Sequence, residues 1–414
     1  MNRSKNTFFI HYGWIALAMG TLGVFGALGL ARFGYTTVLP AMQSDLGFNN
    51  EQAGLLATFN LSGYLFLSML GGILASKFGV RVIASAGLFL AGISMIFTGY
   101  SQDFDSLLIW RMITGIGSGA ANISIMGLWA AWFSKKRRGL ASGIAVSGSS
   151  IALIFTGLFV PYVLKSFGET AWRDVWSVYG YVTIVLAVLS FIIIKNSAHE
   201  MGLDPIGGSE KAISDIKNNK EKKTNWRNVY LSPSVWILGA IYSAFGFSYI
   251  IYTTFFVKFL VADHAYSTVK AGNIFMLMGW FSLISGILWG IASDKIGRKK
   301  TLIMLYALNA TAYLLFAVGN SHFLLVLSAI IYGLSAWSIP AIMAAACGDM
   351  LGLKLAPAAL GFITLFFGIG QALGPFVAGN ITDASGSFQT AFLLASAISL
   401  AGGVGSALFI KKRT

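Results

Sequence analysis

The chain has 414 residues, of which 56% are hydrophobic and only 11% are charged. A soluble domain carries roughly 25% charged residues, so the composition excludes a water-soluble globule and predicts a polytopic helical membrane protein. The single cysteine, Cys347, excludes an intrachain disulfide, a cysteine zinc site and an iron–sulfur cluster.

Hydrophobic runs recur along the chain, each long enough to cross a hydrocarbon core of ~30 Å. They cover residues 13–39, 53–76, 82–100, 107–133, 140–164, 176–194, 233–260, 272–292, 301–319, 323–350, 358–380 and 390–410. Twelve spans place both termini on one side. The first run is too long for a cleavable signal, and no small-residue cleavage site follows it.

One long polar stretch, residues 196–230, divides six spans from six. It predicts an N-terminal bundle over residues 1–195, a linker over 196–230 and a C-terminal bundle over 231–414, with residues 201–207 as the candidate for partial order. Of the 29 Lys and Arg residues, 23 lie on the side of the termini and linker, four lie on the other side, and two lie within spans. The positive-inside rule places that side in the cytoplasm. The net charge of +14 therefore orients the chain in a bilayer and argues against a nucleic-acid partner.

The two halves repeat at a nearly constant offset. A shift of 218 carries residues 72–81 onto 290–299, Gly54 onto Gly272, Gly115 onto Gly333 and Gly143 onto Gly361, and a shift of 217 carries Tyr35-Thr36-Thr37 onto Tyr252-Thr253-Thr254. Chance alignment of glycine-rich apolar sequence is a poor explanation for four coincidences on one register. The repeat predicts two bundles related by an axis along the membrane normal, which rock about a site near the midplane.

The repeated loops resemble the G-x-L-A-D-R-x-G-R-K signature of the major facilitator superfamily. The second loop is the better match, because Ser76 stands in the first where the family usually has Asp. Arg111-x-x-x-Gly115-x-Gly117-x-Gly119 looks like the family's second motif. The resemblance covers essentially the whole chain and implies an all-α fold of twelve transmembrane helices in two pseudo-symmetric six-helix bundles. It also implies conformational coupling through the motif residues Gly72, Gly79, Arg81, Arg111, Gly290, Asp294, Gly297, Arg298 and Lys299.

Other segments are similar to particular branches of that family. Residues 368–375, 201–207 and 11–14 look like the bacterial organic-acid branch, which includes monocarboxylate and oxalate–formate transporters, while residues 31–36 also resemble the A-R-F-x-Y-T signature of bacterial permeases of poorly defined substrate. The chain departs from the organic-acid branch in having no charge in span 8. Residues 143–149 lack the Gly-Pro of drug/proton antiporters, which weakens a multidrug-exporter interpretation.

Arg32 and Arg111 are the only ionisable residues well inside the spans, since no Asp or Glu lies mid-span. A charge at the bilayer centre costs roughly 2.5–3.5 kcal/mol on the insertion scale, so such residues usually mark function. Arg32, with Leu28 and Tyr35 nearby on its helix, is the candidate anchor that would hold a carboxylate in two parallel hydrogen bonds. Snorkelling, helix capping and pairing with an interfacial acid are the alternatives for Arg32. For Arg111 a structural or coupling role is favoured over substrate contact.

Polar and aromatic residues of the other spans are candidate helpers of Arg32. They are Asn60, Tyr64, Asn122, Tyr252, Thr253, Asn273, Tyr332, Trp337 and Gln371. Each such residue is more often a helix–helix hydrogen bond or an interfacial aromatic than a ligand. Without an embedded acid, a proton relay would need an edge residue such as Asp45 or Glu51, or the substrate itself. The sequence therefore leaves two alternatives for the coupled partner, a proton and a counter-anion.

The sequence has no catalytic motif, metal site or cofactor motif, so it predicts no enzyme. Our interpretation is a bacterial cytoplasmic-membrane transporter that moves a small, monocarboxylate-like organic anion by alternating access, for which a monomer is enough. One alternative is an exporter of a neutral or amphipathic solute, sugar or drug-like, with a structural Arg32. The other is a transporter-like sensor, for which the linker is the one candidate output domain.

Overall fold

In this computed structural model, the structure describes residues 11–208 and 227–409. Within those ranges the backbone is helical, and one isolated bridge between Phe133 and Ile206 is its only β pairing. The long helices are α1 (Tyr12–Leu46), α2 (Asn50–Phe78), α3 (Val80–Tyr100), α4 (Phe104–Trp132), α5 (Lys135–Phe167), α6 (Trp172–Ile193), α7 (Pro233–Ala262), α8 (Thr268–Ile296), α9 (Arg298–Val318), α10 (His322–Met350), α11 (Ala358–Ser385) and α12 (Gln389–Phe409). A turn at residues 336–337 interrupts α10, and the backbone stays helical between α10 and α11.

Eleven of these helices are long and apolar enough to cross a membrane. The exception, α4, has 29 residues, about 43 Å at 1.5 Å per residue. It is less apolar because it carries Arg111, Asn122 and several glycines and serines. All twelve predicted spans are therefore helices, and the all-α polytopic fold is confirmed.

Glycines in the repeated loops set the tight turns between helices. Gly79 separates α2 from α3, and Gly297 separates α8 from α9; both have φ of +88°. A side chain with a Cβ atom rarely adopts this conformation, whereas glycine does so without steric cost. The 218-residue repeat thus reproduces the same turn in both halves.

The start of the polar stretch packs on the first half of the chain. Ile206 exchanges backbone hydrogen bonds with Trp132 and Ser134, and the Trp132 Nε1–H donates to the carbonyl of Lys195 over 3.0 Å. Residues 201–207, predicted to be partly ordered, thus contact the first half; residues 209–226 of the predicted linker lie outside the described ranges. We call this the linker side of the molecule and the opposite end, where Asp45 binds Trp172 and Arg173, the far side. The bundle boundaries at 195/196 and 230/231 remain predictions.

Between the two halves, α2 packs on α11, α5 on α8, and α1 on α7. The first two contacts are close on the far side, because a Cβ atom at Gly54 would overlap the carbonyl oxygen of Pro375 and one at Gly272 would overlap that of Gly157. The shift of 218 converts one contact into the other. The two halves are therefore sealed symmetrically on the far side.

On the linker side the same helices are apart. Gly72 of α2, Gly143 of α5, Gly290 of α8 and Gly361 of α11 have no atom of another segment within 4 Å of an added Cβ atom. These four are two repeat-related pairs, so the separation follows the same symmetry as the seal. The structure is open toward the linker side and closed toward the far side.

Candidate functional site

The site is built around a change of winding in α1. Residues Phe25–Phe33 form a π-helix, in which hydrogen bonds span five residues, and α-helical winding resumes at Gly34. Glycines at every third position from Gly20 to Gly29 let this region lie against its neighbours; Gly29, for example, leaves no room for a side chain beside Ala152 of α5. π segments are rare and often occur at functional sites. This one ends at Arg32 and Phe33.

Arg32 presents an unsatisfied edge of its guanidinium group. Its Nε and Nη2 atoms are buried and have no hydrogen-bond partner, and no described carboxylate pairs with it. The group lies against the rings of Phe33 and Tyr64, with Cζ 5.7 and 5.3 Å from the ring centroids. The Nε–H and Nη2–H bonds are parallel donors on one edge, which is the arrangement that holds a carboxylate in two hydrogen bonds.

Arg111 of α4 is a second buried guanidinium beside the first. Its side chain is 1% exposed, its Nη1 donates to the carbonyl of Ala31 over 2.8 Å, and its Nε has no partner. It lies over the rings of Tyr35 and Trp176 at 5.0 and 4.8 Å. Arg111 therefore joins α4 to the residue that precedes Arg32. Its role in conformational coupling remains a prediction.

The two arginines line one small cavity between the halves. It has a volume of ≈ 10 Å³, which is about the minimum that one water molecule needs. Asn60, Thr36 and Thr253 also line it, and the Thr36 hydroxyl donates to the Thr253 carbonyl across the halves over 2.7 Å. No acidic residue is in the lining. Two positive charges with no opposing charge favour an anion at this place.

Several other predicted residues lie close to this cavity. Tyr64, under Arg32, accepts a hydrogen bond from the Asn122 amide over 2.9 Å. The Asn60 amide donates to the Arg111 carbonyl over 3.0 Å. Gln371 of α11 donates to the hydroxyl of Tyr249. The structure thus brings together residues of α1, α2, α4, α7 and α11.

Other predicted residues lie elsewhere. Tyr252 and Tyr332 are fully buried in the aromatic core of the second half, with ring centroids 4.6 Å apart. Trp337, by contrast, lies beside the cavity: its ring centroid is 5.5 Å from that of Phe33, and its Nε1 donates to Ser150 over 3.0 Å, which links α10 to α5. Asn273 is exposed, and Leu28 is partly buried at the edge of the core. Periodicity alone cannot identify the cavity-facing side of a helix that is apolar all round.

Sequence reasoning missed Thr36, Phe33 and Tyr249 as site residues. The repeat held a usable signal, because the 217-residue shift carries Arg32 onto Tyr249 and Thr36 onto Thr253. The Thr pair is in direct contact across the halves. Residues near a pseudo-twofold axis meet their own repeat partners, so this contact lies close to the axis that relates the two halves.

The two motif loops differ in their charge contacts. In the second loop Arg298 pairs with Asp294 at 2.7 Å and with Asp349 at 3.5 Å, which connects α9 to α8 and α10. In the first loop Ser76 donates to the carbonyl of its own helix at Ile73, and Arg81 donates to the carbonyl of Phe191. The described part of the first loop thus donates hydrogen bonds to backbone carbonyls where the second forms ion pairs.

Residues 24–406 match the family described as an uncharacterised MFS-type transporter, YbfB. The chain belongs to the major facilitator superfamily. Members and relatives of this group are transporters rather than enzymes, and the chain is an integral membrane protein.

Among its relatives in this superfamily is a probable sulfoacetate transporter, SauU, of Cupriavidus necator, which is 24% identical over 92% of this chain and 89% of the relative. A hexuronate transporter of Bacillus subtilis is 22% identical over 90% of this chain and 88% of the relative. A solved bacterial homologue of the human lysosomal transporter Spinster, inward-facing and unoccupied, superposes with a TM-score of 0.72 at 17% identity, covering 97% of this chain and 96% of that one. The last likeness concerns the fold alone. The two named relatives have organic anions as substrates.

Proposed function

We propose that this superfamily member is a secondary transporter of a small, monocarboxylate-like organic anion across the bacterial cytoplasmic membrane. The observation that carries the proposal is the edge of Arg32, where two buried N–H donors of a cation have no partner. An unsatisfied buried charge is costly and calls for an explanation. A carboxylate that binds there would satisfy both donors at once.

The electrostatics and the relatives support the same substrate class. Arg111 adds a second positive charge at the cavity and no acid opposes it, so an anion is attracted and a cation is repelled. The substrates for which the relatives are named, sulfoacetate and hexuronate, are organic anions. By the positive-inside rule the linker side is cytoplasmic, so the halves in the described conformation would be open toward the cytoplasm.

Alternating access follows from the symmetry of the contacts between the halves. The halves are in close contact on the far side and apart on the linker side, and both arrangements occur at repeat-related positions of α2, α5, α8 and α11. Rocking of the halves would exchange the two arrangements around Arg32. No Asp or Glu lies mid-span in the part of the chain that the structure describes, so exchange of anions or a proton carried with the substrate are the coupling modes that fit.

Thermal stabilisation of the purified protein tests this proposal. A ligand at 100 times its dissociation constant adds about 2.7 kcal/mol to the free energy of unfolding. We expect small carboxylates or sulfonates without hydroxyls, such as hexanoate, to stabilise the wild type, Arg32→Lys to retain part of the effect, and Arg32→Gln to lose it. Lys270→Gln, an exposed far-side change of the same charge, is the matched control. Equal stabilisation of wild type and Arg32→Gln by such an anion would contradict the anchor role.

A row of aromatic rings supports a second candidate, transport of a neutral or amphipathic solute. Tyr242, Phe245, Tyr249 and Phe367 lie nearly parallel, with interplanar angles of 1–16°. Such rings bind apolar or ring-shaped solutes without charge. Stabilisation by sugars or lipophilic compounds that is indifferent to Arg32→Gln would favour this function.

A further inference from the structure

A second cavity lies on the far side of the molecule, between the two halves. Its volume is ≈ 580 Å³, within the usual range for small-molecule sites. Gln43 of α1 and Asn50 of α2 form the wall of the first half, and Lys258 of α7 and Ser387 belong to the wall of the second. It shares no lining residue with the cavity at Arg32.

Lys258 is the positive charge of this cavity. It is partly buried and feels the charge of Asp263, but no hydrogen bond and no ion pair within 4 Å joins it to a described residue. The neighbouring acid, Asp263, uses Oδ2 to accept hydrogen bonds from the Ser387 hydroxyl and the Phe388 N–H at 2.6 and 3.1 Å. Burial lowers the pKa of His264, and the charge of Asp263 opposes this to a smaller extent, which favours the neutral form of the ring.

Gln43 supplies an acceptor that lacks a donor. Asp383 of α11 accepts from the Asn50 Nδ2 at 2.8 Å, so the Asn50 Oδ1 must be the acceptor for the Gln43 Nε2 at 3.1 Å. This chain fixes the orientation of both amides. It leaves the Gln43 Oε1 buried without a partner, on a side chain that is 8% exposed and lines the cavity.

We propose that the far-side cavity is a second ligand site, distinct from the one at Arg32, for a small hydroxylated carboxylate. Lys258 binds the carboxylate, and a hydroxyl of the ligand donates to the Gln43 Oε1. Because Gln43 and Lys258 belong to different halves, the ligand holds the halves together on the far side. A ligand that binds one conformation better shifts the population toward it, so occupancy favours the form that is open to the linker side.

The test uses the full chain, with sodium D-gluconate as the probe and sodium hexanoate as the carboxylate without hydroxyls. We expect gluconate to raise the melting temperature of wild type, Lys270→Gln and Arg32→Gln, in which the central site is disabled. When Lys258→Gln is added to Arg32→Gln, the dissociation constant for gluconate should rise at least tenfold. In Arg32→Gln, hexanoate should stabilise less than gluconate. Lys258→Arg, which keeps the charge, should retain binding. Gln43→Glu, which places a negative charge beside the ligand carboxylate, should lose it even if Lys258→Gln folds poorly.

Three results would overturn the proposal. The far-side site is refuted if gluconate stabilises neither the wild type nor any variant. It is also refuted if gluconate stabilises the double variant, Arg32→Gln with Lys258→Gln, as much as Arg32→Gln alone. Stabilisation lost in Arg32→Gln and kept in Lys258→Gln assigns gluconate to the central cavity instead. Loss of binding in Lys258→Gln with retention in Arg32→Gln supports the far-side site whether or not Arg32 anchors a transported anion.

Discussion

Replacing Gly54 by alanine should open the far side of the molecule. In the described conformation the new methyl group would meet the carbonyl oxygen and backbone of Pro375 on α11, and neither can move independently of its helix. Extra methyl groups in a packed contact cost about 1–3 kcal/mol. If α2 and α11 separate on this side when the halves rock, the alternative conformation escapes this cost. The equilibrium should then shift toward it by about 5- to 150-fold.

Gly72→Ala is the matched control, because Gly72 lies on the same helix and an added methyl group there meets nothing within 4 Å. Both changes replace a helical glycine by alanine, so their effects on helix propensity are similar and cancel in the comparison. Any difference between the two variants therefore reports the contact with Pro375.

The populations can be measured as a distance between spin labels. Labels at Ser76→Cys and Lys295→Cys, in a Cys347→Ser background, lie on exposed linker-side ends of α2 and α8 in different halves. Closure of the linker side should shorten the distance, and Gly54→Ala should increase the short-distance population while Gly72→Ala leaves it unchanged. Identical distributions for the two variants would refute the reasoning.

Two further changes probe the same seal with smaller effects. Thr36→Val removes the hydrogen bond to the Thr253 carbonyl and should shift the same equilibrium by about 0.5–1.5 kcal/mol toward far-side opening. The Thr37 hydroxyl donates within its own helix, so Thr37→Val should leave the label distances unchanged. Asp383→Ala removes the carboxylate that accepts from the N–H groups of Asn50 and Glu51 at the start of α2, a cap worth about 1 kcal/mol, and should also favour far-side opening. Asp103→Ala removes a helix cap within the first half, so it should lower the melting temperature without changing the label distances. Equal distance changes for the two Asp variants would contradict a role of Asp383 in holding the halves together.

Hydropathy predicted the helices but not all their ends. The first span was predicted over residues 13–39, whereas α1 continues to Leu46. Pro40 lies inside the helix, and polar Gln43 and Asp45 lie beyond the apolar run, so the apolar pattern stops before the hydrogen-bonded helix does. The end is set by Gly47, whose φ of +68° ends the helical winding.

The repeat carried more information about the site than residue type did. It contained the pairing of Thr36 with Thr253 and the symmetric contacts at Gly54 and Gly272. Residue type did not separate Tyr64, which stacks on Arg32, from Tyr252, which is buried in an aromatic core. That difference depends on helix rotation, and a span that is apolar on every face carries no rotational signal. The position of Arg32 beside Arg111 in one cavity depends in addition on the π-helical winding of α1. No local pattern in the sequence predicts that winding.

The π segment in α1 also affects how relatives should be aligned with this chain. A π turn closes its hydrogen bonds over one residue more than an α turn does. A relative whose first helix is α-helical throughout would reach the same depth in the bilayer with a residue fewer between Phe25 and Phe33. An ungapped alignment would then place a neighbour of Arg32 at the wrong position and hide a shared arginine or report a false one. Relatives should therefore be aligned with a one-residue gap in the first helix before one asks which of them carry an arginine equivalent to Arg32.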